Sequence, residues 1–268
     1  MKRIHPTITK TTTEKSCIFI GGRQIGVNCL RELLDAGIRP KLVIANLDDT
    51  GKDTWHESLV KVVKQKKLPL VQNRKLKNAH VIKRIRAIHP EIIFCIGAFQ
   101  IIPPDVLKIP QKGCLNIHPA LLPKYRGRYS TAWAIFNGEK ETGVTVHWMD
   151  EGVDSGPIIM QKKFSITNTD TAKTVYDKFT KTGTELFGIF LKKWLQGRKT
   201  DAMTQNEHDA TYYKKGLPNN GQIDWSWDGK KLYNFIRAMT FEPFPPPSFT
   251  IGKKKMVIVD NNSVKSKK

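Results

Sequence analysis

The sequence predicts an α/β protein: a doubly wound, mostly parallel sheet with helices on both faces, followed by a small C-terminal subdomain. Three observations predict it. Short apolar runs alternate with helix-length amphipathic segments between residues 17 and 96, the order that builds successive βαβ units. The run Ile92-Ile-Phe-Cys-Ile96 is apolar without alternation, as in a strand buried on both faces. The composition shifts at Asn219-Asn-Gly221, and too few residues follow to form a core of their own.

Cys17-Ile-Phe-Ile20 is the first strand, and Gly21-Gly22 turns the chain into a helix with Ile25, Cys29, Leu33 and Leu34 at helical spacing and Gly37 at its end. Gly21-Gly22-x-x-x-Gly26 lacks the full GxGxxG pattern. Its glycines are read as room for a tight turn that packs strand on helix, not as a dinucleotide site. Lys41-Leu-Val-Ile-Ala45 is the second strand, residues 55–66 a helix, and Leu68-Pro-Leu-Val71 a short third strand. Residues 78–88 repeat the helical pattern through Val81, Ile82, Ile85 and Ile88 before the strand at 92–96.

Ligands of such sheets bind beyond the carboxyl ends of the strands, which points to Gly97-Ala-Phe99-Gln-Ile-Ile102 and to the turn after Asp150. Between them a strand at 113–118 sends Asn116 and His118 off the same face. The Pro- and Gly-punctuated loop at 123–127 crosses over it and carries Tyr125 and Arg126. A helix capped by Ser130 runs to Gly138. Residues 142–149 and 158–164 form an antiparallel pair joined by the acidic turn Asp150-Glu-Gly-Val-Asp154-Ser-Gly156. Val175, Phe179, Leu186, Phe190 and Trp194 line one side of a helix over 170–195. After an irregular stretch at 199–217 come a helix at 229–239 and strands at 248–251 and 255–259.

Of the 268 residues 39% are hydrophobic, enough for a sizeable core, and 45 Lys+Arg against 24 Asp+Glu leave a formal net charge of +21. That excess attracts polyanions, nucleic acid among them. The basic residues are mostly scattered lysines, as on a solvated surface. No apolar run approaches the roughly 20 residues that span a bilayer, and residues 1–15 lack the apolar core of a secretory signal, so a cytoplasmic protein without a membrane partner is expected. Cys17, Cys29, Cys95 and Cys114 have no CxxC spacing and read as buried free thiols, with no metal site.

Asn116, His118 and Asp154 combine a donor that never titrates, an imidazole and a carboxylate. Formyl or acyl transfer to an amine needs such a set, because the attacked carbonyl oxygen gains negative charge while the amine must lose a proton.

The pattern Asn116-x-His118-Pro-x-Leu-Leu-Pro123-x-x-Arg126-Gly127, followed by Thr142-Gly-Val-Thr-x-His147 and Asp150-x-Gly-x-Asp154-x-Gly-x-Ile158, resembles the folate-dependent formyltransferases. The resemblance implies a Rossmann-like catalytic domain, 10-formyltetrahydrofolate as co-substrate and Asn116, His118 and Asp154 as the catalytic residues. It also implies a pterin lying against Phe99, Gln100, Ile101 and Ile102 and the turn at Asp150, Gly152 and Val153, with the acceptor over Arg126 and Gly127. Ala120 stands where the family commonly has Ser, and Pro245-Pro-Pro247 where related C-terminal parts commonly read Pro-Gly-Ala. On this reading residues 1–15 are a flexible N-terminus, 16–198 the catalytic domain, 199–260 a linker and small C-terminal subdomain, and 261–268 a flexible basic tail.

The segments Gly221-Gln-Ile-Asp-Trp225, Tyr233-Asn-Phe-Ile-Arg-Ala238 and Pro243-Phe-Pro look like the short C-terminal part of sugar N-formyltransferases, which implies an amino-sugar nucleotide as the acceptor. The initiator methionyl-tRNA and glycinamide ribonucleotide are the alternatives. Fewer than fifty residues follow Gly221, little for the separate domain that tRNA enzymes carry, whereas the positive charge favours tRNA. Trp225, Tyr212 and Tyr213 are candidates to stack on a base, with a core or hinge role for Trp225 equally open. A basic nucleic-acid-binding protein without catalysis is the reading from another class, and it leaves the triad unexplained. The oligomeric state is open, a homodimer included.

Overall fold

The computed structural model describes residues 15–72, 74–242, 244–260 and 263–266, and the apolar runs of the sequence are its strands. In chain order the elements are β1 (Cys17–Gly21), α1 (Arg23–Asp35), β2 (Leu42–Ala45), α2 (Leu59–Gln65), β3 (Leu70–Val71), α3 (Ala79–Ile88), β4 (Ile92–Ile96), the one-turn α4 (Pro104–Leu107) and β5 (Gly113–His118). Then follow the two-residue β6 (Arg126–Gly127), α5 (Ser130–Phe136), β7 (Glu141–Trp148), β8 (Ile158–Ser165), α6 (Ala172–Leu195), β9 (Tyr212–Tyr213), α7 (Gly229–Met239), β10 (Ser248–Ile251), β11 (Lys254–Asp260) and β12 (Ser263–Ser266).

The main sheet has the order β3-β2-β1-β4-β5-β7-β8. It is parallel from β3 to β5, and β7 and β8 add an antiparallel edge. Alternate residues of the buried strands feed two cores. Phe19, Phe94 and Leu115 pack with Leu30 of α1 and with Phe187, Phe190 and Trp194 of α6. Ile18, Ile93, Cys95 and Cys114 pack with Val81 and Ile85 of α3 on the opposite face. A sheet covered on both faces is the doubly wound arrangement. Gly21 has φ +149, and a Cβ there would lie 1.9 Å from the carbonyl oxygen of Ile96, so β1 and β4 approach as closely as only glycine allows.

Several boundaries differ from the sequence-based expectation. Helix α2 starts only after Ser58, whose hydroxyl accepts from the Lys61 N–H, so Trp55 lies outside the helix. Ser130 does not cap α5. The cap is Tyr129 in the left-handed region, and the Ser130 hydroxyl faces His118 instead. Lys15, expected in a flexible N-terminus, pairs with Glu91 at 3.2 Å; residues 1–14 lie outside the described residues. Part of the expected loose tail is also ordered, because β12 extends the β10-β11 hairpin through backbone pairing, which apolar periodicity does not reveal. Residues 261–262 and 267–268 lie outside the described residues.

The C-terminal unit packs against the main domain. α7 packs on α5, and Arg237 of α7 donates to the carbonyl oxygens of Thr167 and Asp170 just before α6.

Candidate active site

The register of three strands assembles the site. Asn116 of β5 lies opposite Cys95 of β4 on one side and His147 of β7 on the other. β7 runs antiparallel, so its end lies level with the start of β5, where the Met149 N–H donates to the Cys114 carbonyl. The turn after it climbs back and brings Asp154 to Asn116 and His118. Asp154 holds φ 53, a left-handed conformation that a non-glycine residue keeps only when its surroundings enforce it. Gly156 is enforced sterically: a Cβ there would lie 2.0 Å from the Trp148 carbonyl oxygen.

The structure brings Asn116, His118 and Asp154 together. The His118 ring is buried, with Nδ1 3.3 Å from Asp154 Oδ2. Its Nε2 lies 2.7 Å from the carbonyl oxygen of Tyr125, and since a carbonyl only accepts, Nε2 carries a hydrogen. Nδ1 is therefore the ring atom left to exchange a proton with the carboxylate. Asp154 Oδ2 also accepts from the Gly127 N–H at 2.8 Å, and Oδ1 from the Asn116 amide at 3.4 Å.

A fourth group, His147, appears in the sequence pattern without an assigned role. Its ring is 1% exposed, and Nδ1 donates to the Trp148 carbonyl at 2.8 Å, which leaves Nε2 bare to accept from the Asn116 amide at 3.1 Å. Burial, against the pull of Asp154, lowers the His147 pKa to about 4, so the ring is neutral at pH 7. The missed signal was the register: residues paired across β5 and β7 must touch.

The residues expected around the triad divide. Phe99, Ile101 and Val153 are large apolar side chains left 55%, 86% and 54% exposed, with Val153 next to Asp154. The side chain of Asn46 fixes the loop after β4, donating to Gly97 O at 2.8 Å and accepting from the Phe99 N–H at 3.1 Å. The Arg23 guanidinium lies over the Phe99 ring, 4.1 Å from its centroid, and bonds to His56 and Asp48. Ile102 instead belongs to the core beside Val106 and Cys114, because the chain turns it back onto the sheet. Gln100 is engaged too, its side-chain oxygen accepting from the Leu76 N–H at 3.0 Å. Asp150 braces its own turn, accepting from the Gly152 N–H and the Ser155 hydroxyl.

Of the residues expected to contact the acceptor, Arg126 needs correction. Arg126 is fully buried, and its guanidinium bonds to Gln205, Glu207 and Tyr212, so it faces the protein interior. Gly127 holds Asp154 through its backbone, and a Cβ there would collide with the Tyr213 carbonyl oxygen at 2.2 Å. Trp225 is 64% exposed and packs edge-on against Phe249 of β10 at 5.3 Å, within the C-terminal unit. Tyr213 stacks on Tyr125 at 5.2 Å. Among the described residues no group of His, Cys, Asp and Glu is arranged to hold a metal ion, and no helix is long and apolar enough to cross a membrane.

The chain matches the formyl transferase family model over residues 18–189 and the formyl transferase C-terminal domain model over residues 217–268. It is 36% identical over 224 residues to the methionyl-tRNA formyltransferase of Thermodesulfovibrio yellowstonii, covering 82% of this chain and 72% of that protein. The N-formyltransferase of Helicobacter canadensis, solved with folinic acid and dTDP-3-aminofucose, superposes with a TM-score of 0.75 at 27% identity, covering 90% of this chain and 86% of that one. WlaRD, a sugar 3N-formyltransferase solved in the presence of dTDP and 5-N-formyl-THF, superposes with a TM-score of 0.75 at 26% identity over 92% of this chain and 87% of that one.

Proposed function

The chain belongs to the formyl transferase family, and from that premise we propose that it moves a formyl group from 10-formyltetrahydrofolate to the amine of a nucleotide-linked amino sugar. The observation that carries the choice of acceptor is the closeness of the structural likeness. Two N-formyltransferases, one solved with dTDP-3-aminofucose and one a sugar 3N-formyltransferase solved with dTDP, superpose with TM-scores of 0.75, against 0.61 for a methionyl-tRNA formyltransferase of Clostridium thermocellum that is covered over 96% of its length. A second reading, with initiator methionyl-tRNA as acceptor, is supported by the 36% identity to that relative and by the +21 charge.

The site fits a bound folate. Exposed Phe99, Ile101 and Val153 offer apolar contact beside the triad, and the peptide groups at Gly97 and Phe99 are held in place by Asn46. Bound 10-formyltetrahydrofolate supplies the formyl group. Asn116 donates an N–H to the oxygen that gains charge as the amine attacks, a role its uncharged amide fills at any pH. Neutral His147 holds the other amide hydrogen and so fixes which way that donor points. Asp154 takes the proton shed by the amine, directly or through water, and His118, whose Nδ1 lies 3.3 Å from the carboxylate, delivers a proton to N10 of the folate as the bond from N10 to the formyl carbon breaks and tetrahydrofolate leaves.

The test is release of tetrahydrofolate from 10-formyltetrahydrofolate with a panel of 3-amino and 4-amino sugar nucleotides beside charged initiator tRNA. Turnover with a sugar nucleotide and none with tRNA is expected. Turnover with tRNA alone would transfer the function to the second reading.

A further inference from the structure

The stretch between the two family-model matches does not hang free as a linker. Met203 forms an antiparallel bridge with Ile158, each N–H donating to the other's carbonyl at 2.8 Å, and β9 pairs with β6. Between those anchors lies Gln205, 6% exposed, with every hydrogen-bonding capacity of its amide in use. Nε2 donates to the carbonyl oxygens of Asp154 at 2.8 Å and Gly156 at 2.7 Å. Oε1 accepts from Arg126 Nε at 3.0 Å and Nη2 at 2.7 Å.

These partners lie on the two sides of one carboxylate. Asp154 is held through its own backbone, and Arg126 precedes Gly127, whose N–H binds Asp154 Oδ2. We propose that Gln205 is a positioning residue for formyl transfer: by clamping the 154–156 turn to β6 it aims the Asp154 carboxylate at His118 Nδ1 and the Gly127 N–H. The left-handed φ of Asp154 supplies the reason, because a strained turn holds a side chain in place only when its peptide groups are tied down. The inference rests on Asp154 being catalytic. The plainer role for Gln205 is a brace that supplies an acceptor to the buried Arg126 guanidinium.

The two ends of the amide separate these roles. Gln205→Glu keeps an acceptor for Arg126 and loses both donors to the turn; Gln205→Met loses both ends. Glu207→Gln loosens Arg126 from its 65% exposed partner and leaves the turn untouched. Tetrahydrofolate release by the full chain is measured with whichever acceptor turns over, a sugar nucleotide or methionyl-tRNA, beside Asp154→Asn. Both Gln205 variants should lower kcat about 100-fold, as a misplacement near 1 Å does, with KM values changed less than about twofold and Glu207→Gln close to wild type. A Gln205→Glu enzyme with wild-type kcat overturns the proposal in favour of the brace. So does a crystal structure of Gln205→Glu with Asp154 still on the Gly127 N–H, a result that stands even where Gln205→Met does not fold. An active Asp154→Asn enzyme would instead sink the catalytic reading of Asp154 and this inference with it.

Discussion

Asn116 presents one amide nitrogen to two acceptors, His147 Nε2 at 3.1 Å and Asp154 Oδ1 at 3.4 Å. The shorter contact orients the amide, and the longer one is the N–H that an oxyanion can claim. Asn116→Ala should therefore lower kcat by about 100- to 1,000-fold, or roughly 3–4 kcal/mol of barrier, in steady-state formyl transfer. His147 makes a separate prediction about pH. Its folded pKa of about 4 lies below the ordinary 6.5, so between these values the unfolded chain binds the proton that the folded chain refuses. Stability should fall as pH drops through that window, by up to about 3 kcal/mol, and His147→Gln should flatten the fall in urea unfolding followed against pH. That Asn116, His118 and Asp154 meet was legible in the sequence, because the i, i+2 spacing on a strand puts the first two on one face and the acidic turn follows the antiparallel pair that returns to it. His147 was not, since its role depends on which residue faces it across β5. Arg126 was misjudged because a charged residue in a loop suggests a ligand, and only the fold shows Gln205 and Glu207 waiting for it.

Helix α6 begins where the two parts of the chain meet, and its start is held electrostatically as well as by the Thr171–Thr174 capping pair. Burial pushes the Asp170 carboxyl up, but hydrogen bonds from Lys178, Thr167 and Thr174 outweigh it and hold the pKa at about 2. A carboxyl lowered in this way adds stability above the ordinary carboxylate range and loses it as pH falls toward 2. Asp170→Asn should cost about 2 kcal/mol at pH 7 in chemical denaturation, and the difference from wild type should vanish near pH 2. The strands and helices of the main sheet were legible because burial on both faces of a sheet imposes long apolar runs. Helix starts were less so: Ser58 displaces Trp55 from α2, and Tyr129 takes the capping place expected of Ser130. The short strands β6 and β9 carry no periodic signal at two residues each, yet their pairing brings residues 212–213 to the active-site loop.

Across the whole molecule a net charge of +21 meets a site that handles formyl groups, and the two make different demands. A basic surface binds tRNA through its phosphates, an affinity that collapses with salt, whereas a sugar nucleotide carries few charges. Raising salt from about 50 to 200 mM should weaken tRNA binding by tenfold or more and leave the KM for the sugar nucleotide within about threefold. The measurement that bears most directly on the catalytic assignment is tetrahydrofolate release from 10-formyltetrahydrofolate by wild type and His118→Ala, with the acceptor at saturation. Loss of at least about 100-fold in kcat, with the fold intact by circular dichroism, is the expected result. A His118→Ala enzyme that transfers formyl groups at the wild-type rate would contradict the site described.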